Sequence, residues 1–279
     1  MAQTIVGHDG GLPGQRDWVH RVASTSRLER IEAFFGGHGY AMHRHDTYAI
    51  GRTLAGVQSF HYRRAMAHGT PGATIVLHPD EPHDGHAGTQ AGFRYRMAYI
   101  EPALIQRVLG GVALPFIAMG TSQDRRLGAA AGALLQSLDA LDPLQEADAL
   151  FDLAHALAAA AGVRRARAGV DYRAAELARG YLLDCLEQPI ALQDLERVSG
   201  RDRWRLSRDF RALYGTSPYR YLTMRRLQRA RDLVAAGRTL AQAALLAGFT
   251  DQSHLTRQFV QAYGMAPGRW SRMLRPARA

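Results

Sequence analysis

Arg203, Trp204, Ser207, Arg208 and Arg211 fall on one face of a helical stretch, and Gln252, Ser253, Thr256 and Arg257 fall on the matching face of a second stretch 49 residues further on. These side chains suit the reading of base edges: arginine can take a guanine edge through two hydrogen bonds, glutamine an adenine edge, and serine or threonine a base or a phosphate. A single charged residue in such a position is more often just part of a solvated helix face. Here the arginines recur at matched positions in a basic neighbourhood. Residues 164–279 hold 22 Arg against 10 Asp and Glu, whereas residues 1–163 hold 13 Arg against 15 acids, so the whole formal charge of +10 comes from the C-terminal part. A basic segment beside a near-neutral one is the electrostatic footprint of nucleic-acid binding, because neutralised phosphates release counterions.

Two copies of one helical unit position these side chains. Leu206-Ser207-Arg208-x-Phe210-x3-Tyr214-Gly215-x2-Pro218-x2-Tyr221 returns as Leu255-Thr256-Arg257-x-Phe259-x3-Tyr263-Gly264-x2-Pro267-x2-Trp270. In each copy the apolar spacing predicts a short first helix, over 191–198 and 240–247, closed by Gly200 and Gly248. Asp202 and Asp251 then suit the N-cap of a second helix, whose Leu206 and Phe210, or Leu255 and Phe259, face inward. Gly215 and Gly264 suit left-handed C-caps, and Pro218 and Pro267 the first turn of the next helix. Helix, tight turn and second helix make a helix-turn-helix, and a single helix over 218–234 would hold the two units at a fixed separation.

Residues 172–274 resemble the DNA-binding domain of AraC/XylS-type transcription regulators. The resemblance rests on Leu206-x-Arg208-x-Phe210, Gly215-x-Ser217-Pro218, Arg226-x3-Ala230, Ala244-x3-Gly248-Phe249, Leu255-x-Arg257-x-Phe259 and Gly264-x2-Pro267, all in order. It implies that both second helices enter successive major-groove segments, roughly 34 Å apart. Trp204, Ser207 and Arg208 in the first motif, and Gln252, Ser253, Thr256 and Arg257 in the second, carry over as base-facing. Ala266 departs from the usual Ser or Thr before Pro267, and residues 243–247 lack the acidic residue common there. Upstream, short β-type runs at 47–55, 57–62, 73–77 and 93–100 suggest a small barrel or jelly roll. His43-x-His45, Pro71-Gly72, His78-Pro79-x3-His83 and Tyr99-Ile100-Glu101-Pro102 resemble the cupin-like sensing domain of many such regulators.

Ten of the twelve histidines lie at or before His86. In metal-bearing cupins a His-x-His pair and a later His converge with a carboxylate; His43 and His45 share one strand face, and His83 could add a third imidazole. The Glu that follows in those proteins is missing. Only Asp46 is near, on the opposite face of a regular strand. Hydrogen-bonded histidines in a polar pocket are therefore preferred, with no metal and no cofactor assigned. His43, His45, Tyr48, His83 and Tyr95 are the expected lining of a small-molecule effector site, and His61, His68 and His86 are expected at the surface or in turns.

Leu127, Ala131, Leu134, Leu138 and Leu141, then Ala147, Leu150, Ala154, Leu157 and Ala161, alternate at spacings of three and four. Such a strip can form a seam with another helix or pack on the barrel; a homodimer through this region is expected. The resulting division is a cupin-like sensing domain over 1–125, a helical packing region over 126–163, and an all-α DNA-binding domain with two helix-turn-helix motifs over 164–279, joined by a linker at 163–170. Cys185 is expected as a packed core thiol. The first 22 residues lack a signal pattern and no run of 18 apolar residues occurs, so a cytoplasmic protein without membrane partner is expected. The expected function is a sequence-specific transcription regulator, not an enzyme, with double-stranded DNA, a small-molecule effector and RNA polymerase as partners. The alternative is a metal-dependent cupin enzyme fused to a DNA-binding tail.

Overall fold

A computed structural model describes residues 16–22, 28–139, 141–162 and 169–273. The N-terminal half contains β1 (Trp18–Val22), β2 (Leu28–Phe35), β3 (His38–His43), β4 (Tyr48–Gly56), β5 (Gln58–Tyr62), β6 (Ala65–Gly69), β7 (Thr74–Leu77), β8 (His83–Ala87), β9 (Phe93–Ile100) and the two-residue β10 (Thr121–Ser122). They form two antiparallel sheets, ordered β1-β2-β9-β4-β7-β10 and β3-β8-β5-β6. The four strands expected from sequence are β4, β5, β7 and β9. Of the others, β3 and β8 were missed because the His- and Gly-rich runs HGYAMH and HDGHA carry little β propensity.

Period-two alternation splits the six-stranded sheet into two faces. Ile31, Ala33 and Phe35 of β2, Ile75 and Leu77 of β7, and Phe93, Tyr95 and Met97 of β9 meet Tyr40, Phe60 and Tyr62 of the second sheet in the interior. The opposite parity, Leu28, Tyr48, Ile50, Val76, Ala98 and Ile100, faces outward and is covered by α1 (Pro102–Leu109), α2 (Arg125–Leu135) and α3 (Pro143–Ala161). Leu127, Ala131, Leu134, Leu150, Ala154 and Leu157 are buried in this contact. The strip expected as a seam between two copies is thus consumed within one chain. Helix α2 stops at Leu135, leaving Leu138 and Leu141 outside it, and its final carbonyls receive the guanidinium groups of Arg30, Arg52 and Arg96.

The C-terminal half is helical: α4 (Tyr172–Asp184), α5 (Leu192–Ser199), α6 (Arg203–Tyr214), α7 (Pro218–Ala235), α8 (Leu240–Leu246), α9 (Gln252–Tyr263) and α10 (Pro267–Met273). One core, around Leu206, Phe210, Tyr214 and Tyr221, closes the first motif; another, around Leu227, Ala244, Phe249, Leu255, Phe259 and Trp270, closes the second. Asp202 caps α6 through the amides of Trp204 and Arg205, and Asp251 caps α9 through that of His254. Gly215 and Gly264 end these helices at φ of 74° and 65°. Cys185 follows α4 and is half-buried, not packed in the core as expected. Most of the expected linker, residues 163–168, lies outside the described residues.

Candidate DNA-reading face and interdomain cavity

Both second helices keep their first two turns in solvent. On α6, Arg203, Trp204, Arg208 and Arg211 are exposed and Ser207 half-buried; Trp204 is 74% exposed and the Arg208 side chain 67%. On α9, Gln252, Ser253 and Arg257 are exposed and Thr256 is half-buried. Their inward neighbours Leu206, Phe210, Leu255 and Phe259 are fully packed, which fixes the rotation of each helix. Local pairings already hold part of the set: the Arg203 guanidinium lies 5.0 Å from the Trp204 ring centre, and Arg211 hydrogen-bonds the Ser207 hydroxyl one turn earlier. Arg208 and Arg257 sit at equivalent places on the two helices.

The C-terminal ends of the same helices abut the β domain. Backbone amides of Ala41 and Arg44 donate to the carbonyls of Gly264 and Gln261, and Gln106 of α1 donates to the carbonyl of Leu213. Between them α7 lies against the barrel through arginines. Arg225 donates from Nη2 to both Asp46 carboxylate oxygens at 2.8 and 2.9 Å and from Nη1 to Glu101. Arg231 reaches Glu29 at 2.5 Å, and Glu29 also forms an ion pair with Arg21 at 2.9 Å. Arg220 pairs with Asp80 at 2.6 Å. Burial pushes the Asp46 carboxyl up to about 6 despite its guanidinium partner, whereas for Glu29 burial is outweighed by Arg231 and Arg21, which hold it below its usual range. Buried pairs of this kind lose heavily if one member is removed.

A cavity of about 100 Å³ lies along this seam. Its barrel side includes Phe35, Tyr40, His43, His45, Tyr95 and Tyr99, and its helical side Met224, Gln228, Tyr263, Met265 and Trp270. Of the expected effector residues, His43, His45 and Tyr95 line it. Tyr48 does not: an even-numbered position on β4 points it to the helix-covered face, where its hydroxyl donates to the Pro115 carbonyl at 2.7 Å. Tyr99, missed in the sequence, shares the parity of Tyr95 and takes that place. The helical contributors carry no local signal, since they come from the far half of the chain. Burial holds the Tyr40, Tyr95 and Tyr99 phenols well above their ordinary range, so they remain neutral hydrogen-bonding groups.

His83 stands behind the wall with His43 and His45; ring centres are 4.3 Å (His43 to His83), 4.8 Å (His45 to His83) and 5.9 Å (His43 to His45) apart. All three are buried, and burial, reinforced for His43 and His45 by neighbouring imidazoles, pulls each below the ordinary histidine range, His83 to about 4. They are neutral at pH 7. His61, His68 and His86 instead lie on strands of the second sheet, with His61 2.7 Å from Asp84 and His68 2.8 Å from Ser59. His78 is buried and accepts the Ile117 amide, a structural role.

Residues 26–160 match the family described as AraC-like ligand binding domain, and residues 195–273 match a helix-turn-helix domain. A probable transcriptional regulator, LumQ of Photobacterium leiognathi, is 30% identical over 96 residues, which are 34% of this chain and 39% of that protein. The matched stretch is thus well under half the length of that relative. Among solved structures, ToxT from Vibrio cholerae superposes with a TM-score of 0.66 at 11% identity, covering 90% of this chain and all of that one. A ToxT structure described as bound to an unsaturated fatty acid gives 0.62 at 11% identity, covering 93% and 95%. The likeness to ToxT is one of fold, extending over both halves and their arrangement. Among the described residues no helix is long and apolar enough to cross a membrane.

Proposed function

Because the chain belongs to the AraC family, we propose that it binds double-stranded DNA at specific sequences and regulates transcription in response to a small molecule held between its two halves. One observation carries this reading: Arg208 and Arg257, with their neighbours, stand in solvent at equivalent places on α6 and α9, while Arg225 and Arg231 of α7 are turned inward into buried ion pairs. Helix α7, 18 residues long, connects the two motifs. At 1.5 Å per residue it spans roughly 27 Å, a rigid spacer of the order of one helical turn of DNA. In vitro selection from random duplexes should return two conserved blocks whose centres are about 10–10.5 base pairs apart. A single block, or none, would overturn the reading.

The effector would occupy the cavity between barrel and α7. Solved ToxT structures carry an unsaturated fatty acid and a naphthalenyl butenoic acid. This cavity favours something else. Its arginines already have carboxylate partners, Arg225 in Asp46 and Glu101 and Arg231 in Glu29, and its volume of about 100 Å³ is below the roughly 150 Å³ that accepts benzene. A compact neutral molecule with an apolar body, hydrogen-bonding to Tyr40, Tyr95, Tyr99 or Gln228, fits that balance. In this reading the effector acts on α7 by being bound, and its turnover plays no part. A homodimer would have to use a surface other than the buried strip, such as the outer face of α3 where Leu144 and Phe151 are exposed; sedimentation tests it. RNA polymerase as a partner and a cytoplasmic location complete the reading.

A further inference from the structure

The three buried histidines are arranged as a ligand set. His43 ends β3, His83 opens β8, and the two are direct cross-strand partners; His45 follows two residues after His43. In each ring Nδ1 is committed outward, 2.9 Å from a backbone carbonyl: Ala41 for His43, Thr47 for His45 and Glu81 for His83. A carbonyl only accepts, so each Nδ1 carries the ring proton and each Nε2 presents a lone pair. Histidines that bind metals are fixed by this same contact, one nitrogen donating to a carbonyl while the other ligates. Three buried rings from two neighbouring loops adopt it together.

One ring nitrogen from each histidine lies within 4.8 Å of the others. The buried Nε2 of His45 has no hydrogen-bond partner, although a buried acceptor left unsatisfied is destabilising. A neutral imidazole protonated at Nδ1 offers no proton through Nε2, so neither neighbouring ring can satisfy the His45 nitrogen. A Lewis acid can. We propose that His43, His45 and His83 bind one divalent transition-metal ion through their Nε2 atoms. Three imidazoles without a carboxylate suit zinc, cobalt or nickel and not magnesium or calcium, which take oxygen donors. Metal–nitrogen bonds of about 2.0–2.1 Å place tetrahedral nitrogens roughly 3.4 Å apart, so closure requires about 1 Å of ring movement. The proposal departs from the sequence reading, which assigned no metal, and rests on neither the DNA nor the effector reading.

The test uses the full-length protein, stripped with a chelator and titrated with Co²⁺. One Co²⁺ per chain should bind, give visible ligand-field absorption, and be displaced by Zn²⁺. His45→Gln and His83→Gln should each weaken binding at least as much as the loss of an outer hydrogen-bond partner does, roughly 10- to 100-fold. His61→Ala, which alters the pair of the exposed His61 with the half-buried His86, should leave it unchanged. Should either glutamine variant misfold, nitrogen NMR of the wild-type histidines decides: Zn²⁺ should move three Nε2 resonances and leave Nδ1 protonated. No bound cobalt at equimolar micromolar concentrations, equal affinity in the folded glutamine variants, or a zinc response confined to other histidines would overturn the proposal.

Discussion

Arg208 and Arg257 share a sequence motif and an exposed position, yet each should affect only its own half of a binding site. Arg208→Ala or Arg257→Ala is expected to cost roughly 1–3 kcal/mol of specific binding and to relax preference at one position. Titration against a panel of single-base operator variants checks this at several salt concentrations. A guanidinium that only touches phosphate would instead weaken all sequences alike and lower the salt slope by about one. These residues were legible beforehand because a helix face is a local property: inward Leu206 and Phe210 dictate which neighbours point out. The cavity residues were half legible for a related reason. Tyr95 lines the cavity and Tyr48 does not, because strand parity decides the face and the register joining Tyr48 to Ile100 is a long-range property. The three histidines were recognised as a possible ligand set by their spacing, but the outward Nδ1 contacts that orient them depend on backbone geometry no spacing reveals.

At the level of the element, helix α9 is tied to β3 by its final turn, and Gly264 is where the two touch. A Cβ there would overlap the Ala41 carbonyl oxygen, in addition to the cost of a left-handed conformation at φ of 65°. Gly200 provides the comparison: it ends α5 at φ of 66° with open space around it. Gly200→Ala is therefore expected to cost about 1–2 kcal/mol of stability, the conformational part alone. Gly264→Ala is expected to cost clearly more, and urea denaturation of the two variants measures the difference. Equal losses would mean that the end of α9 does not bear on β3 in solution. The sequence identified Gly264 as a helix stop from the repeat but could not assign it a partner. The four expected strands and the helices α5, α7 and α8 lie within about a residue of their expected bounds, whereas β3 and β8 went unread because they are strands only by virtue of the neighbours that pair with them.

The two halves also share their interior. Met273 of α10 is buried with the barrel core, and Ala103 of α1 with the core of the first motif. Ion pairs close the seam, with Arg225 alone between two buried carboxylates. A molecule joined in this way should unfold as one unit even though each half has its own core. Removing the Arg225 charge takes from the buried Asp46 and Glu101 the guanidinium that they share, a loss of about 3–5 kcal/mol that falls on the seam and not on either core. The wild-type chain is thus expected to show a single urea transition by fluorescence and circular dichroism. Arg225→Met should resolve it into two, the helical half separating from the barrel first. Combining Arg225→Met with Asp46→Asn and Glu101→Gln removes the stranded charges while keeping their size, and should bring the transitions back toward each other. If Arg225→Met still unfolds in one step with wild-type stability, the charged seam contributes nothing, and an effector seated in it would have no lever on α7 or on the reader helices that α7 holds apart.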